Sequence, residues 1–121
     1  MARILVIDDE DQIRALLRRV LEREGHQVLE TEFGREALRI AESQPIDLVI
    51  TDIMMPDTDG LEVITALRRE SPKLKILAIS GGGVLRNKAL HVANLLGAHE
   101  TLQKPFSIDA LIGKVNEALA A

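Results

Sequence analysis

The chain has 121 residues and 46% hydrophobic content, the size and composition of one globular domain, here spanning residues 1–121. The absence of cysteine excludes disulfides and cysteine-ligated metals, and a net charge of −4 disfavours a nucleic-acid-binding surface. No apolar run reaches the roughly 18 residues of a membrane span and no signal peptide is recognisable, so we expect a cytoplasmic protein without membrane contact. One basic cluster, at Arg14, Arg18, Arg19 and Arg23, has helical spacing. We interpret it as a solvated helix face, and a docking face for an acidic or helical partner stays open.

Short apolar runs alternate along the chain with segments in which apolar residues recur every three or four positions. The first pattern predicts buried strands and the second predicts amphipathic helices. Gly25 and Gly97 are placed to end two of the helices, and Ser107 is placed as the N-cap of the last one. In chain order the pattern predicts strands at residues 4–7, 27–31, 48–50, 76–79 and 101–102, alternating with helices at 13–21, 37–41, 61–67, 85–96 and 108–119.

Strict alternation of strands and helices is typical of a parallel sheet that helices cover on both faces. The first, third and fourth strands are continuously apolar, as central strands are, whereas the second and fifth are mixed, as edge strands are. This distribution predicts the strand order 2-1-3-4-5. The expected fold class is α/β, a five-stranded (βα)5 flavodoxin-like doubly wound sandwich.

Polar side chains follow four of the predicted strands. Asp8 and Asp9 follow the first, Asp52 the third, Ser80 the fourth and Lys104 the fifth. Each alone reads as a helix cap or turn residue, but the carboxyl ends of parallel strands share one edge, so we expect these side chains to meet there. Neighbouring carboxylates repel each other by roughly 1–4 kcal/mol per pair. Because carboxylate oxygens suit Mg²⁺, the sequence predicts a magnesium site at this edge.

The same edge is suited to a phosphoryl group. A magnesium ion and the ammonium of Lys104 would neutralise phosphoryl oxygens, and the hydroxyl of Ser80 would donate a hydrogen bond to one of them. A carboxylate can itself be the nucleophile and form an aspartyl phosphate. Asp52 is the candidate, because it lies centrally between the Asp8–Asp9 pair and Ser80.

Four motifs, in this order, make the chain resemble the receiver domain of two-component response regulators over essentially its whole length: ILVIDDE, DLVITDIMMPDTDG, AISGG and QKPF. The resemblance implies a switch that is phosphorylated by a sensor histidine kinase or a histidine phosphotransfer protein, and that catalyses only its own phosphorylation and dephosphorylation. It further implies a phosphorylation-dependent change in the surface formed by the fourth helix, fifth strand and fifth helix. That surface would act on a downstream protein or output domain. The resemblance leaves open whether phosphorylation also produces a dimer.

The resemblance also assigns a role to each side chain at the expected edge. It implies that Asp52 is the phospho-acceptor, that Ser80 and Lys104 bind phosphoryl oxygens, and that the Lys104–Pro105 peptide bond is cis. The implied magnesium ligands are Asp9 directly, Asp8 largely through water, Asp52, and the backbone carbonyl of Met54.

Two other functions stay open at this point. A Mg²⁺-dependent phosphohydrolase with an aspartyl nucleophile commonly has a second acid two residues after the nucleophile, where this chain has Met54. A phosphorylation-independent pseudo-receiver would bind partners only, and the full set of acids, serine and lysine disfavours it.

Thr101 departs from the family pattern, which usually has Tyr or Phe three residues before the lysine. A threonine cannot act as a ring that changes rotamer on phosphorylation. We therefore hypothesise that the switch works through the glycine-rich segment at residues 81–83 and the fourth helix.

Overall fold

The computed structural model describes residues 1–53, 60–81, 93–94 and 97–121. Its helices are α1 (Asp11–Arg23), α2 (Gly34–Ser43), α3 (Gly60–Glu70) and a C-terminal helix (Ile108–Ala120). The predicted helix at 85–96 lies outside the described residues except for Ala93 and Asn94, which are helical. The strands are β1 (Arg3–Ile7), β2 (Gln27–Thr31), β3 (Leu48–Asp52), β4 (Lys75–Gly81) and β5 (Glu100–Lys104).

The five strands form one parallel sheet in the order β2-β1-β3-β4-β5, which confirms the predicted fold class and strand order. Among the described helices, none has both the length and the apolar character needed to cross a membrane. Because all strands run the same way, their carboxyl ends lie along a single edge of the sheet. That edge receives the polar side chains which the sequence places after the strands.

Side chains that alternate along the strands build one core on each face of the sheet. The first core packs against α1 and the C-terminal helix, and the second packs against α2 and α3. Helices therefore shield both faces, as the continuously apolar runs of β1, β3 and β4 require. The first core includes Ile4, Val6, Leu17, Leu21, Ile50, Leu77, Leu111 and Val115, and the second includes Leu5, Ile7, Ala37, Val49, Ile64, Leu67 and Ile76.

The predicted helix ends are formed by local backbone chemistry. Ser107 caps the C-terminal helix, since its hydroxyl accepts a hydrogen bond from the N–H of Ala110 at 3.0 Å. Gly25 and Gly97 have φ values of +91° and +120°, which residues with a side chain rarely adopt. At Gly97 a Cβ atom would also lie 2.9 Å from Nε of Arg68, so both conformation and space favour glycine there.

His99 joins β4 to the start of β5 through both its backbone and its ring. Its N–H donates to the carbonyl of Ile76 at 2.8 Å, and its Nδ1 accepts from the N–H of Ile76 at 3.2 Å. The guanidinium of Arg68 lies 3.4 Å from the same ring nitrogen. A protonated ring has no lone pair at Nδ1, so this arrangement needs the neutral imidazole.

We expect the stability of the protein to depend on pH through His99. Burial lowers the pKa of His99, and the charges of Arg68 and Lys75 lower it further against the opposing charge of Glu100. The unfolded chain then takes up a proton near its ordinary pKa of 6.5 while the folded chain resists, so the free energy of unfolding falls as the pH drops through this value. Urea unfolding at several pH values should show that the free energy of unfolding falls less steeply with decreasing pH in His99→Asn than in the wild type. Identical pH profiles for the two proteins would contradict this role.

Candidate functional site

Of the predicted side chains, those of Asp8, Asp9, Asp52 and Lys104 meet at the carboxyl edge of the sheet, on backbone that is more regular than the sequence suggests. Asp8 directly follows β1, whereas Asp52 and Lys104 are the last residues of β3 and β5. Ser80 also lies within a strand, opposite Gln103 of β5, and Asp52 pairs with Ile79. We expected these three residues just beyond the strands. They lie within paired strands instead, so the hydrogen bonds of the sheet fix the backbone that carries them.

The ammonium of Lys104 is the centre of this site. Its Nζ donates to Oδ2 of Asp52 at 2.8 Å, to Oδ2 of Asp8 at 3.0 Å and to Oε1 of Glu10 at 3.1 Å. The side chain of Asp8 is 1% exposed and that of Asp52 is 5% exposed. The lysine thus supplies the positive charge that allows two buried carboxylates to lie side by side. The Lys104–Pro105 peptide bond is cis, as the resemblance implies.

The protonation behaviour of Asp8 and Lys104 reflects this arrangement. Burial raises the pKa of Asp8 and the charge of Asp52 adds to the rise, while hydrogen bonds from Glu10 and Lys104 oppose it, with a net upward shift. Burial lowers the pKa of Lys104, but its hydrogen bonds to Asp52 and Asp8 more than offset that effect, so its pKa is raised. Lys104 therefore stays cationic at neutral pH.

Four acids at this edge could share a metal ion. Asp8, Asp9, Glu10 and Asp52 each offer a carboxylate oxygen, and these oxygens lie within 4.8 Å of one another. Hard oxygen donors at this spacing are the kind of ligand set that Mg²⁺ takes. The predicted carbonyl ligand Met54 lies outside the described residues.

Glu10 is a site residue that the sequence-based prediction did not include. It contacts Lys104 and belongs to the acid cluster, although it is more exposed than Asp8 and Asp52. The available signal was its position directly after Asp9, as the third acid in a row. Its N–H also donates to Oδ1 of Asp8 at 2.9 Å, so the turn after β1 is partly held by its own acids.

Ser80 presents an unsatisfied hydroxyl. The residue is fully buried, and its Oγ has no hydrogen-bond partner within the part of the chain that the structure describes. A buried hydroxyl without a partner is uncommon and calls for an explanation. A ligand oxygen arriving at the edge of the sheet would provide one.

Thr101 lies half-buried in β5 opposite Ala78. It offers no ring that could follow a movement of Ser80, in agreement with the sequence-based reading. The glycine-rich segment of our hypothesis is described only at Gly81, the last residue of β4. Residues 82 and 83 lie outside the described part of the chain.

The sequence matches the family described as response regulator receiver domain across residues 4–116. The chain belongs to this family. The alkaline phosphatase synthesis transcriptional regulatory protein PhoP of Bacillus subtilis is 40% identical over 105 residues, which make up 87% of this chain and 43% of PhoP. The chain spans half or less of the length of the curated relatives it matches. A receiver domain is the signalling switch of a two-component regulator rather than a classical enzyme.

Solved receiver domains have the same fold. A receiver domain protein from Clostridium thermocellum superposes with a TM-score of 0.89 at 34% identity, covering 99% of this chain and 95% of that one. The response regulator TrrA from Thermotoga maritima, solved in complex with Mg²⁺ and BeF, gives a TM-score of 0.86 at 38% identity. The superposition covers 98% of this chain and 99% of TrrA.

Proposed function

We propose that residues 1–121 form a receiver domain that accepts a phosphoryl group on the carboxylate of Asp52 in a Mg²⁺-dependent reaction. The donor would be a sensor histidine kinase or a histidine phosphotransfer protein in the cytoplasm. The observation that carries this proposal is the meeting of Asp52, Asp8 and Lys104 at one buried edge of the sheet. Ser80, near the carboxyl end of β4, adds a buried hydroxyl that has no partner among the described residues.

The acids fit a magnesium ion. Asp8, Asp9 and Asp52, with the carbonyl of Met54, would hold it, and their oxygen donors and close spacing support that assignment. The TrrA complex with Mg²⁺ adds support from a relative. When bound, the ion supplies positive charge that offsets the carboxylates and the phosphoryl oxygens.

The transfer needs no general base from the chain, since an ionised carboxylate is already a nucleophile. An oxygen of Asp52 bonds to phosphorus as the bond from phosphorus to the donor imidazole nitrogen breaks, and that nitrogen keeps the electron pair. Lys104 moves its ammonium from the carboxylates to one phosphoryl oxygen, and the hydroxyl of Ser80 donates a hydrogen bond to another. Hydrolysis by water releases inorganic phosphate and restores the Asp52 carboxylate.

The output would be a change in the surface formed by the predicted fourth helix, β5 and the C-terminal helix. Lys104 ends β5, so a shift of its ammonium toward a phosphoryl group acts directly on that strand. With Thr101 in β5, we propose that residues 81–83 and the fourth helix carry the change. The surface would bind a downstream protein or an output domain, or a second phosphorylated copy, and not nucleic acid directly.

Incubation with Mg²⁺ and acetyl phosphate tests the proposal against its two alternatives. We expect a stoichiometric adduct that hydroxylamine removes, as it removes acyl phosphates. Turnover of many equivalents of acetyl phosphate would instead support a phosphohydrolase with an aspartyl nucleophile. Absence of any adduct would support a pseudo-receiver that binds its partners without phosphorylation.

Ser80→Ala should separate the chemistry of the site from its stability. The buried hydroxyl has no partner among the described residues, so we expect its removal to leave the free energy of unfolding unchanged or to raise it by up to about 1 kcal/mol. The phosphorylation rate should fall by about 100-fold, because one donor to a phosphoryl oxygen is lost. Urea unfolding and the rate of adduct formation provide the two measurements.

Thr31→Val is the matched control for Ser80→Ala. Thr31 is also buried, but its Oγ1 accepts a hydrogen bond from the N–H of Phe33 at 3.1 Å. We expect this variant to lose about 1 kcal/mol of stability while phosphorylation stays near the wild-type rate. A wild-type phosphorylation rate in Ser80→Ala would remove Ser80 from the proposed mechanism.

A further inference from the structure

The peptide unit of Asp8 is held on both sides. Its N–H donates to the carbonyl of Thr31 at 3.2 Å, and its carbonyl accepts from Nη1 of Arg14 at 2.5 Å. These contacts fix the turn between β1 and α1, which carries three of the four clustered acids. The direction of those carboxylates therefore depends on Arg14.

Arg14 is itself firmly anchored. Its side chain is 13% exposed, its Nε donates to Oε1 of Glu30 at 3.3 Å, and its Nη2 donates to Asp11. Glu30 lies in β2 and also accepts from Nε of Arg18 at 2.5 Å. The hydrogen bond from Arg18 lowers the pKa of Glu30, with a further lowering by Arg14, so Glu30 is an anion at neutral pH.

We propose that Arg14, held in place by Glu30, is a positioning residue for the magnesium site. The guanidinium fixes the carbonyl of Asp8 and so directs the carboxylates of Asp8 and Asp9 toward a shared ion. Arg14 acts through the backbone of the turn, because its contacts are with that carbonyl and with the carboxylates of Asp11 and Glu30. This inference rests on the proposed function, which supplies the magnesium ion.

Charge and geometry predict opposite outcomes for the removal of Arg14. If Arg14 acted only as a positive charge, its removal would strengthen binding of a cation, and neutralising Glu30 would weaken it. If the pair positions the acid turn, Arg14→Met and Glu30→Gln weaken magnesium binding alike. Arg14→Lys keeps the charge but not the fork of donors, so under positioning it resembles Arg14→Met.

The experiment is calorimetric titration of the whole chain with Mg²⁺ in the absence of a phosphodonor. We expect about a tenfold rise in Kd for Arg14→Met, Arg14→Lys and Glu30→Gln, in the range known for residues that orient metal ligands. The double variant of Arg14→Met and Glu30→Gln should bind no more weakly than Arg14→Met alone. Arg18→Met is the matched control: Arg18 binds Glu30 but has no contact with Asp8 among its hydrogen bonds, so its Kd should stay within about twofold of wild type.

Amide hydrogen exchange without metal gives an independent measurement. The N–H of Glu10 is bonded to Asp8 within the turn, so its exchange should be faster in Arg14→Met and Glu30→Gln than in Arg18→Met. If Arg14→Met does not fold, Arg14→Lys carries the test, because an effect of charge alone would leave its Kd unchanged. An unchanged or lower Kd in folded Arg14→Met, Arg14→Lys or Glu30→Gln overturns this inference alone, whereas a wild-type chain that binds no Mg²⁺ overturns it together with the proposed function.

Discussion

Asp52→Asn is expected to abolish formation of the hydroxylamine-sensitive adduct while leaving the fold intact. An amide cannot replace the carboxylate as nucleophile, so the phosphorylated fraction should fall to background. The stability of the protein should change by no more than about 1 kcal/mol, because the variant loses one ion pair with Lys104 but also one charge that repels Asp8. Mass spectrometry after incubation with Mg²⁺ and acetyl phosphate measures the first effect, and urea unfolding measures the second.

Asp109→Asn is the control for this variant, since it makes the same change at an exposed position in the first turn of the C-terminal helix. We expect it to be phosphorylated at the wild-type rate. An adduct on Asp52→Asn comparable to that on Asp109→Asn would place the phospho-acceptor elsewhere in the chain.

Lys104→Met should have the largest effect on stability of the variants considered. Removal of the ammonium leaves the buried carboxylates of Asp8 and Asp52 without their shared cation, a change that typically costs about 3 kcal/mol. This loss of stability should be smaller at acid pH, because Asp8 has a raised pKa and, once protonated, no longer needs a cation beside it. Added Mg²⁺ should restore more stability to this variant than to the wild type, since the lysine no longer competes for the carboxylates.

Phosphorylation of Lys104→Met should fall by about 100-fold, because the variant lacks the cation that pairs with a phosphoryl oxygen. Lys114→Met is the matched control: Lys114 contacts Glu100 at 3.1 Å with its side chain 38% exposed, so the change should cost no more than about 1 kcal/mol. Equal losses of stability in the two variants, measured by urea unfolding without Mg²⁺, would contradict the role of Lys104 as the shared cation.

The sheet could be predicted because its sequence pattern, short apolar runs separated by amphipathic helical segments, is local and recurs along the chain. The apolar runs at residues 4–7, 48–50 and 76–79 are too continuous for half-exposed strands, so they had to be central. Helical stripes between them force parallel strands, and right-handed crossovers leave few strand orders. The ends of β3, β4 and β5 were less predictable, because Asp52, Ser80 and Lys104 are polar and read as loop residues until the ladder pairing is known.

The sequence could predict most of the residues that form the site, but not which of their side chains contact one another. Sequence order places Lys104 at the same edge as Asp8 and Asp52, yet only packing brings its ammonium within 3.0 Å of both. Arg14 was missed because in the sequence it belongs to an arginine cluster that reads as a solvated helix face. Its partner Glu30 lies in β2, and no local pattern indicates that the two side chains meet.

Mapping the residue that carries the phosphoryl group is the measurement that tests most directly whether Asp52 is the phospho-acceptor. The chain is incubated with Mg²⁺ and acetyl phosphate and then reduced with borohydride, which converts an aspartyl phosphate to homoserine, and the product is mapped by peptide mass spectrometry. We expect homoserine at position 52 and unmodified aspartate at positions 8 and 9. Homoserine at position 8 or 9, or a hydroxylamine-resistant phosphate on Ser80, would contradict this expectation.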